Sequence, residues 1–269
     1  MEEQKGIQSM NMMKTITLLL LLLPSTSSFA WQPEAYPGWF WSNTLYDFKR
    51  FEGFGNQGNL TQGIQWLTLP GEISATTYAS YRWRIRTQNR EFFDAHGPVL
   101  GVMFTKGLVN FGFEYEWQKY PFLNNVTVNN ASLFMTWFLR ERWIGGSHPT
   151  FFGIPVVGFP TTTWGRLNYD FNNIEGAGAM GYVSQAVDWA QITDEIVLRT
   201  HLTYNWRLRT KNSEFFNMHG PSIGTELVRD AISLGGEYGI QYFPSLQQEI
   251  SRFQIYLNVY LDWGNRVSE

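Results

Sequence analysis

The sequence predicts an all-β fold: a twelve-stranded antiparallel transmembrane β-barrel made of two tandem six-stranded repeats. Three observations carry that expectation. Residues 81 to 98, YRWRIRTQNREFFDAHGP, recur at 204 to 221 as YNWRLRTKNSEFFNMHGP, an offset of 204 − 81 = 123 residues. Hydrophobicity alternates with period two through both copies, the pattern of strands with one apolar and one polar face. Short and long connections also alternate along the chain, as in a barrel with tight turns at one membrane surface and longer loops at the other.

The offset extends well beyond that stretch. It carries Tyr46, Asp47 and Phe48 onto Tyr169, Asp170 and Phe171, Gln62 and Trp66 onto Gln185 and Trp189, and Glu114, Tyr115, Gln118 and Pro121 onto Glu237, Tyr238, Gln241 and Pro244. Past Pro121 the second copy reads three residues shorter, which sets Leu133, Met135, Trp137 and Trp143 against Phe253, Ile255, Leu257 and Trp263. Repeat one then covers about 39–143, a linker 144–161, and repeat two about 162–263. Within repeat one the strands fall near 39–48, 60–69, 75–87, 99–105, 110–120 and 131–143, with counterparts 123 or 120 residues later. The strings RFEGFGNQGN, QNREFFDAHGP and PFLNNVTVNN read as long connections, PGEIS and KGLVN as short ones.

Ahead of the first strand, Lys14 precedes the apolar run Leu18 to Leu23, and Ser28 and Ala30 supply the small residues of a cleavage site. Residues 1–30 are therefore expected to be a secretory signal peptide starting at Met10, Met12 or Met13, with 31–269 forming one barrel domain. The apolar run is far shorter than the roughly 20 residues a membrane-spanning helix needs. Cysteine is absent, which excludes disulfides, thiolate metal sites, a cysteine nucleophile and a lipidated N-terminal cysteine. The formal charge of −3 with no basic stripe argues against nucleic acid as a partner. No cofactor and no metal is expected.

The strand faces can be read directly. Tyr81, Trp83 and Ile85 oppose Arg82, Arg84 and Arg86; Tyr204, Trp206 and Leu208 oppose Asn205, Arg207 and Arg209. Phe113, Tyr115 and Trp117 oppose Glu114, Glu116 and Gln118, and Tyr238, Ile240 and Tyr242 oppose Glu237, Gly239 and Gln241. The last strand sets Phe253, Ile255, Leu257, Val259, Leu261 and Trp263 against Gln254, Tyr256, Asn258, Tyr260 and Asp262. A soluble sandwich would bury the aromatic face in a core, with strands of about 5–6 residues. A barrel turns that face to lipid, with about 9–11 residues per strand. The long strands, the aromatic content of 17% and the loop asymmetry favour the barrel.

On signal peptide, alternation, aromatic placement and loop asymmetry, the mature chain resembles Gram-negative outer-membrane β-barrel proteins. In that class the chain typically ends on Phe or Trp; here Trp263 is followed by GNRVSE. The resemblance implies a location in the outer membrane, contact with outer-membrane lipid, and a polar lumen lined by Arg82, Arg84, Arg86, Glu114, Glu116, Arg207, Arg209 and Glu237. Charge on the lipid face would cost about 2–4 kcal/mol per arginine at the midplane, so the reverse orientation is disfavoured. Duplication would place the two arginine ladders on opposite walls, an arrangement that resembles small porins passing acidic oligosaccharides. The alternative is a lumen in which Arg and Glu pair with one another.

Three functions stay open at this stage. The first is a porin-like channel for polar solutes, anionic or saccharide-like. The second is a structural or assembly barrel binding an envelope protein or exported polymer, and the third a lipid hydrolase using Ser213 and His219. The twice-occurring NxEFFxxHGP motif reads as a loop, which makes Asn89, Glu91, His96, Asn212, Glu214 and His219 candidates for contact with an external ligand or partner. No nucleophile motif surrounds Ser213, and Arg90 occupies its place in the first copy, so no enzymatic activity is expected.

Overall fold

Long alternating strands must either stack or close, and here they close. The computed structural model describes residues 33–48, 53–90, 94–143, 149–172, 176–211, 213 and 216–264. The first half of the chain supplies β1 (Gly38–Asp47), β2 (Phe54–Leu69), β3 (Ile73–Arg86), β4 (Ala95–Lys106), β5 (Val109–Tyr120) and β6 (Val126–Trp143). A small hairpin, β7 (Thr150–Phe151) and β8 (Ile154–Pro155), lies in the linker. Then come β9 (Phe159–Asp170), β10 (Ala177–Gln191), β11 (Val197–Arg209), β12 (Met218–Arg229), β13 (Ile232–Phe243) and β14 (Gln248–Trp263).

Every long strand pairs antiparallel with its sequence neighbour, β6 pairs with β9, and β14 returns to β1, giving a closed barrel of twelve strands. Closure leaves no unpaired strand edge, which is what permits a sheet to span a bilayer. The outward positions are apolar around the whole circumference: Leu60, Leu100, Leu133, Leu167, Leu202 and Leu234 are all exposed. An apolar belt of this extent on a closed antiparallel barrel is a transmembrane surface.

The end at which β1 begins and β14 finishes is called proximal below, the other distal. Several strands run further distally than the sequence suggests. β2 starts at Phe54 rather than 60, β4 at Ala95 rather than 99, β6 at Val126 rather than 131, and β12 at Met218 rather than 222. Weak β-formers such as Gly55, Asn56 and Gln57 are thus in the sheet, because neighbouring backbones supply partners whatever the local propensity. The distal connections shrink accordingly, to 48–53, 87–94, 121–125, 171–176, 210–217 and 244–247.

Register also corrects the alignment of the last strand. Ser132 lies between Glu114 and Asp170, and Gln254 between Glu237 and Asp47. Since 237 − 114 and 170 − 47 are both 123, Ser132 corresponds to Gln254, an offset of 254 − 132 = 122 rather than 120. Leu133 and Met135 therefore match Ile255 and Leu257. Some contacts recur at these offsets. A register shift follows both Gln65 and Asp188, and the adjacent indoles donate to threonine hydroxyls, Trp66 to Thr77 at 2.8 Å and Trp189 to Thr200 at 2.9 Å.

The segment before β1 is tied to the proximal end of β2. The Glu34 carboxylate accepts from the Thr68 hydroxyl at 2.7 Å, the Thr68 amide at 3.0 Å and the Gln65 side chain at 3.0 Å. These donors, the Thr68 hydroxyl first and Gln65 second, favour the ionised carboxylate and hold its pKa below the ordinary 4.5. A lowered folded pKa means the tether is complete above that ordinary value and is lost as pH falls through the lowered one. In an NMR titration the Thr68 amide resonance is expected to move with a midpoint below 4.5, and Glu34→Gln to abolish the step. A midpoint at or above 4.5 would contradict the assignment.

Candidate functional site: the charged lumen

Inward positions of the first wall carry an ionic cluster built on Glu114, which is 2% exposed at the centre of β5. Arg82, two strands away on β3, grips it with both terminal nitrogens, Nη2 to Oε2 at 2.6 Å and Nη1 to Oε1 at 3.0 Å. The fork geometry of a guanidinium matches a carboxylate edge, which makes this the strong form of the pair. Arg166, on β9 at the other flank, donates to the same carboxylate, and Tyr78 donates its hydroxyl at 3.0 Å. Glu116 lies 3.4 Å from Arg82 and supplies the second negative charge. Beneath this cluster Tyr78, Val99 and Phe134 pack together with Met103, and the Arg166 guanidinium lies 4.8 Å over the Phe134 ring.

The second wall uses the same backbone positions with different side chains. Glu237 stands where Glu114 does, but Asn205 replaces Arg82, His201 replaces Tyr78 and Gly239 replaces Glu116. Its carboxylate accepts from Gln254 at 2.5 Å, and Arg252 donates to Gln254 at 2.9 Å and Gln241 at 3.3 Å. The smaller side chains leave a cavity of about 30 Å³ lined by Asn205, Ser222, Glu237, Gln241 and Arg252, large enough to admit water. The ion pairs of this wall sit nearer the proximal end. Arg199 binds Asp188 at 2.7 Å and approaches Glu226 at 3.6 Å. Glu226 accepts the Tyr256 hydroxyl at 3.0 Å, whose oxygen accepts from the buried His201 ring at 2.9 Å.

Of the residues expected in the lumen, the fold brings Arg82, Glu114 and Glu116 into one cluster and places Glu237 on the far wall. Arg84, Arg86, Arg207 and Arg209 face inward near the distal rim, on strands six places apart in the ring of twelve. Each makes further contacts there, and the Arg207 and Arg209 guanidiniums lie 5.4 and 4.2 Å from the Phe216 ring. Backbone amides of Arg86 and Arg209 bond to Asp94 and Asn217, which fasten the roots of the two matching loops.

The expected loop-contact residues are placed differently. Asn89 is in the 87–94 connection with φ 52°. Glu91, Asn212 and Glu214 lie outside the described residues. His96 and His219 belong to β4 and β12, on the outward face, where the Tyr81 hydroxyl meets His96 Nδ1 at 2.6 Å and the Tyr204 hydroxyl meets His219 Nδ1 at 2.7 Å. They are therefore strand residues at the lipid-facing distal rim rather than loop ligands, because the His-Gly-Pro segment is paired sheet. His219 is occupied by Tyr204 and packs against Tyr242, while the Ser213 carbonyl caps a turn by accepting from Phe216 and Asn217.

Sequence reading missed Arg166, Arg199, Asp188, Glu226, Arg252, Tyr78, Tyr256 and His201. For two of them the signal was present: Arg199 shares parity with Arg207 and Arg209, and Arg166 alternates with the outward Leu167 and Tyr169.

No family model matches the chain, and comparison with curated sequences returns no match. Among solved structures, similarity is found to the β domain of the Bordetella autotransporter BrkA, with TM-score 0.37 and 10% identity, over 84% of this chain and 97% of that one. It is also found to the KdgM porin, with TM-score 0.31 and 7% identity over 82% and 98%. A third is a bacterial polysaccharide outer membrane secretin, with TM-score 0.39 and 9% identity over 86% and 99%. At such scores these likenesses establish neither family nor function.

Proposed function

We propose that the chain is an outer-membrane channel for small polar solutes, exported by the signal at 1–30, in which two related half-barrels line one lumen. The observation that carries this reading is a water-accessible proximal mouth: Phe138, Arg140, Tyr260 and Asp262 face inward by register near the proximal ends of β6 and β14 and are solvent-exposed, whereas the mid-barrel positions Glu114, Val99 and Phe134 are buried against the wall. The ion pairs agree with an open axis, because they run along the wall. Arg82 and Arg166 reach Glu114 from strands next but one, and Arg199 reaches Asp188 and Glu226 on the strands beside it.

Paired charges favour polar, weakly charged cargo over strong anions. Any anion preference would come from Arg84, Arg86, Arg207 and Arg209 at the distal rim, where guanidiniums suit carboxylate or sulfate groups. Purified protein in planar bilayers is expected to give stable conductance steps with mild anion preference, and Arg84→Glu combined with Arg207→Glu to shift that preference toward cations. A bilayer that stays silent would discard the channel and leave a structural barrel whose rim binds another envelope component. Protein found soluble after cell fractionation, without heat-modifiable migration, would discard the membrane assignment.

A further inference from the structure

Two aromatic surfaces face each other across the proximal lumen. On one wall Phe138, Trp164 and Tyr182 are direct cross-strand partners on β6, β9 and β10. On the other, Tyr260 and Trp41 are direct partners on β14 and β1. Inward direction follows from register. Phe138 and Trp164 share parity with Phe134 and Arg166 of the Glu114 cluster, and Tyr260 shares parity with Tyr256, which bonds to Glu226. Tyr182 lies within electrostatic reach of Arg140 and Glu226, which also face inward.

β1 and β9 are six places apart in the ring, so the two surfaces stand on opposite sides. Their heights match as well. Trp41 lies 41 − 35 = 6 residues beyond the bridge Ala35↔Gln65, and Trp164 lies 164 − 158 = 6 beyond Gly158↔Asp188.

Two of these rings are open to a ligand, and the others are half-buried. Phe138 is 46% exposed and Tyr260 52%, although neither faces lipid. Trp164 and Tyr182 lie side by side, centroids 6.1 Å apart and planes at 31°, so that their faces are not consumed by stacking on each other. Exposed apolar area of this size inside a polar lumen calls for a partner with an apolar face of its own. Polar groups border it: Arg140 and Asp262 one inward position nearer the proximal end, Asn43 and Asn258 one position further distal.

We infer that the proximal lumen is a binding site for a neutral oligosaccharide, whose sugar rings lay their C–H faces on Trp41, Trp164, Phe138 and Tyr260 while their hydroxyls meet the bordering amides and charges. Sugar rings combine a C–H face with a rim of hydroxyl donors and acceptors, the complement of this arrangement. Lipid acyl chains would strip water from the bordering charges of Arg140 and Asp262, and a small inorganic anion would leave the rings uncovered. The inference rests on the channel reading and names its cargo.

The probe is maltohexaose, a linear neutral glucose hexamer, added to protein in planar bilayers and, separately, titrated by calorimetry into protein folded in a sugar-free amine-oxide detergent. Wild type is expected to show concentration-dependent interruption of the current and saturable heat. Phe138→Leu with Tyr260→Leu, which keeps apolar bulk but removes the rings, should weaken both at least tenfold while leaving heat-modifiable migration intact. Conducting protein that neither blocks nor binds overturns the site and leaves the channel standing. Block that is unchanged in the double variant also overturns it. Protein that binds the hexamer through these rings without conducting overturns the channel and supports the site.

Discussion

Glu114→Gln is expected to destabilise the folded barrel by about 3–5 kcal/mol, the cost of breaking a buried ion pair on one side only. The carboxylate neutralises Arg82 and Arg166 together and also takes the Tyr78 hydroxyl. An amide in its place leaves the Arg166 guanidinium, its side chain 16% exposed, without that counter-charge and Arg82 with only the 3.4 Å contact to Glu116. Guanidinium-induced unfolding in lipid vesicles reads the difference. The control is Glu237→Gln at the corresponding position, where Gln254 is the hydrogen-bond partner and Arg82 is replaced by Asn205; a loss of about 1 kcal/mol, one ordinary hydrogen bond, is expected there. Equal losses in the two variants would show that the cluster does not behave as an ion triad. Replacing Glu114, Glu116, Arg82 and Arg166 together by Met should recover most of the stability, since a whole buried ionic group can be exchanged for apolar residues of similar volume with little net change.

That contrast between two matching positions marks the limit of what the sequence could reveal. Period two assigns a face without reference to any partner strand, which is why Arg82, Glu114, Glu237 and Tyr260 are all on the face that alternation gave them. The same period conceals errors of even length. The final strand was aligned two residues out, yet every side chain kept its face, because only an odd slip moves a residue to the other side. Pairing is another matter. Glu114 meets Arg82 and Arg166 because β3 and β9 each lie two strands from β5, and which side chains come level across the intervening strand is set by pairing register, which period two does not give. The aromatic surfaces were hidden for a related reason. Trp41 and Tyr260 are 219 residues apart, 260 − 41, and become direct partners only where β14 meets β1.

The twice-occurring His-Gly-Pro segment shows how a motif can be seen and misread. Gly followed by Pro suggests a turn, but here it lies inside β4 and β12. In the paired register the ladder passes from His96↔Lys119 to Val99↔Glu116 and from His219↔Tyr242 to Ser222↔Gly239. Proline has no N–H to give the ladder, and the pairs at Gly97–Pro98 and Gly220–Pro221 drop out while the register is kept. The preceding glycine lets the strand press against its neighbour. A Cβ on Gly97 would overlap the Trp117 carbonyl, and one on Gly220 the Ile240 carbonyl, and both obstacles are backbone held in the sheet. Gly97→Ala and Gly220→Ala are each expected to cost more than the roughly 1–3 kcal/mol of an ordinary overpacked side chain, because no rotamer change relieves the overlap. The double variant is expected to stay in the slow, unfolded band on unheated detergent gels. Gly236→Ala is the comparison: its added Cβ would meet only the Gln254 carbonyl at 3.7 Å, an ordinary contact, and alanine restricts the unfolded chain. Wild-type folding yield and thermal midpoint are expected for Gly236→Ala, so losses confined to 97 and 220 isolate close approach as the function of the repeated glycine. If Gly97→Ala folds and melts like wild type, the segment is free to move, and its recurrence needs an explanation other than packing.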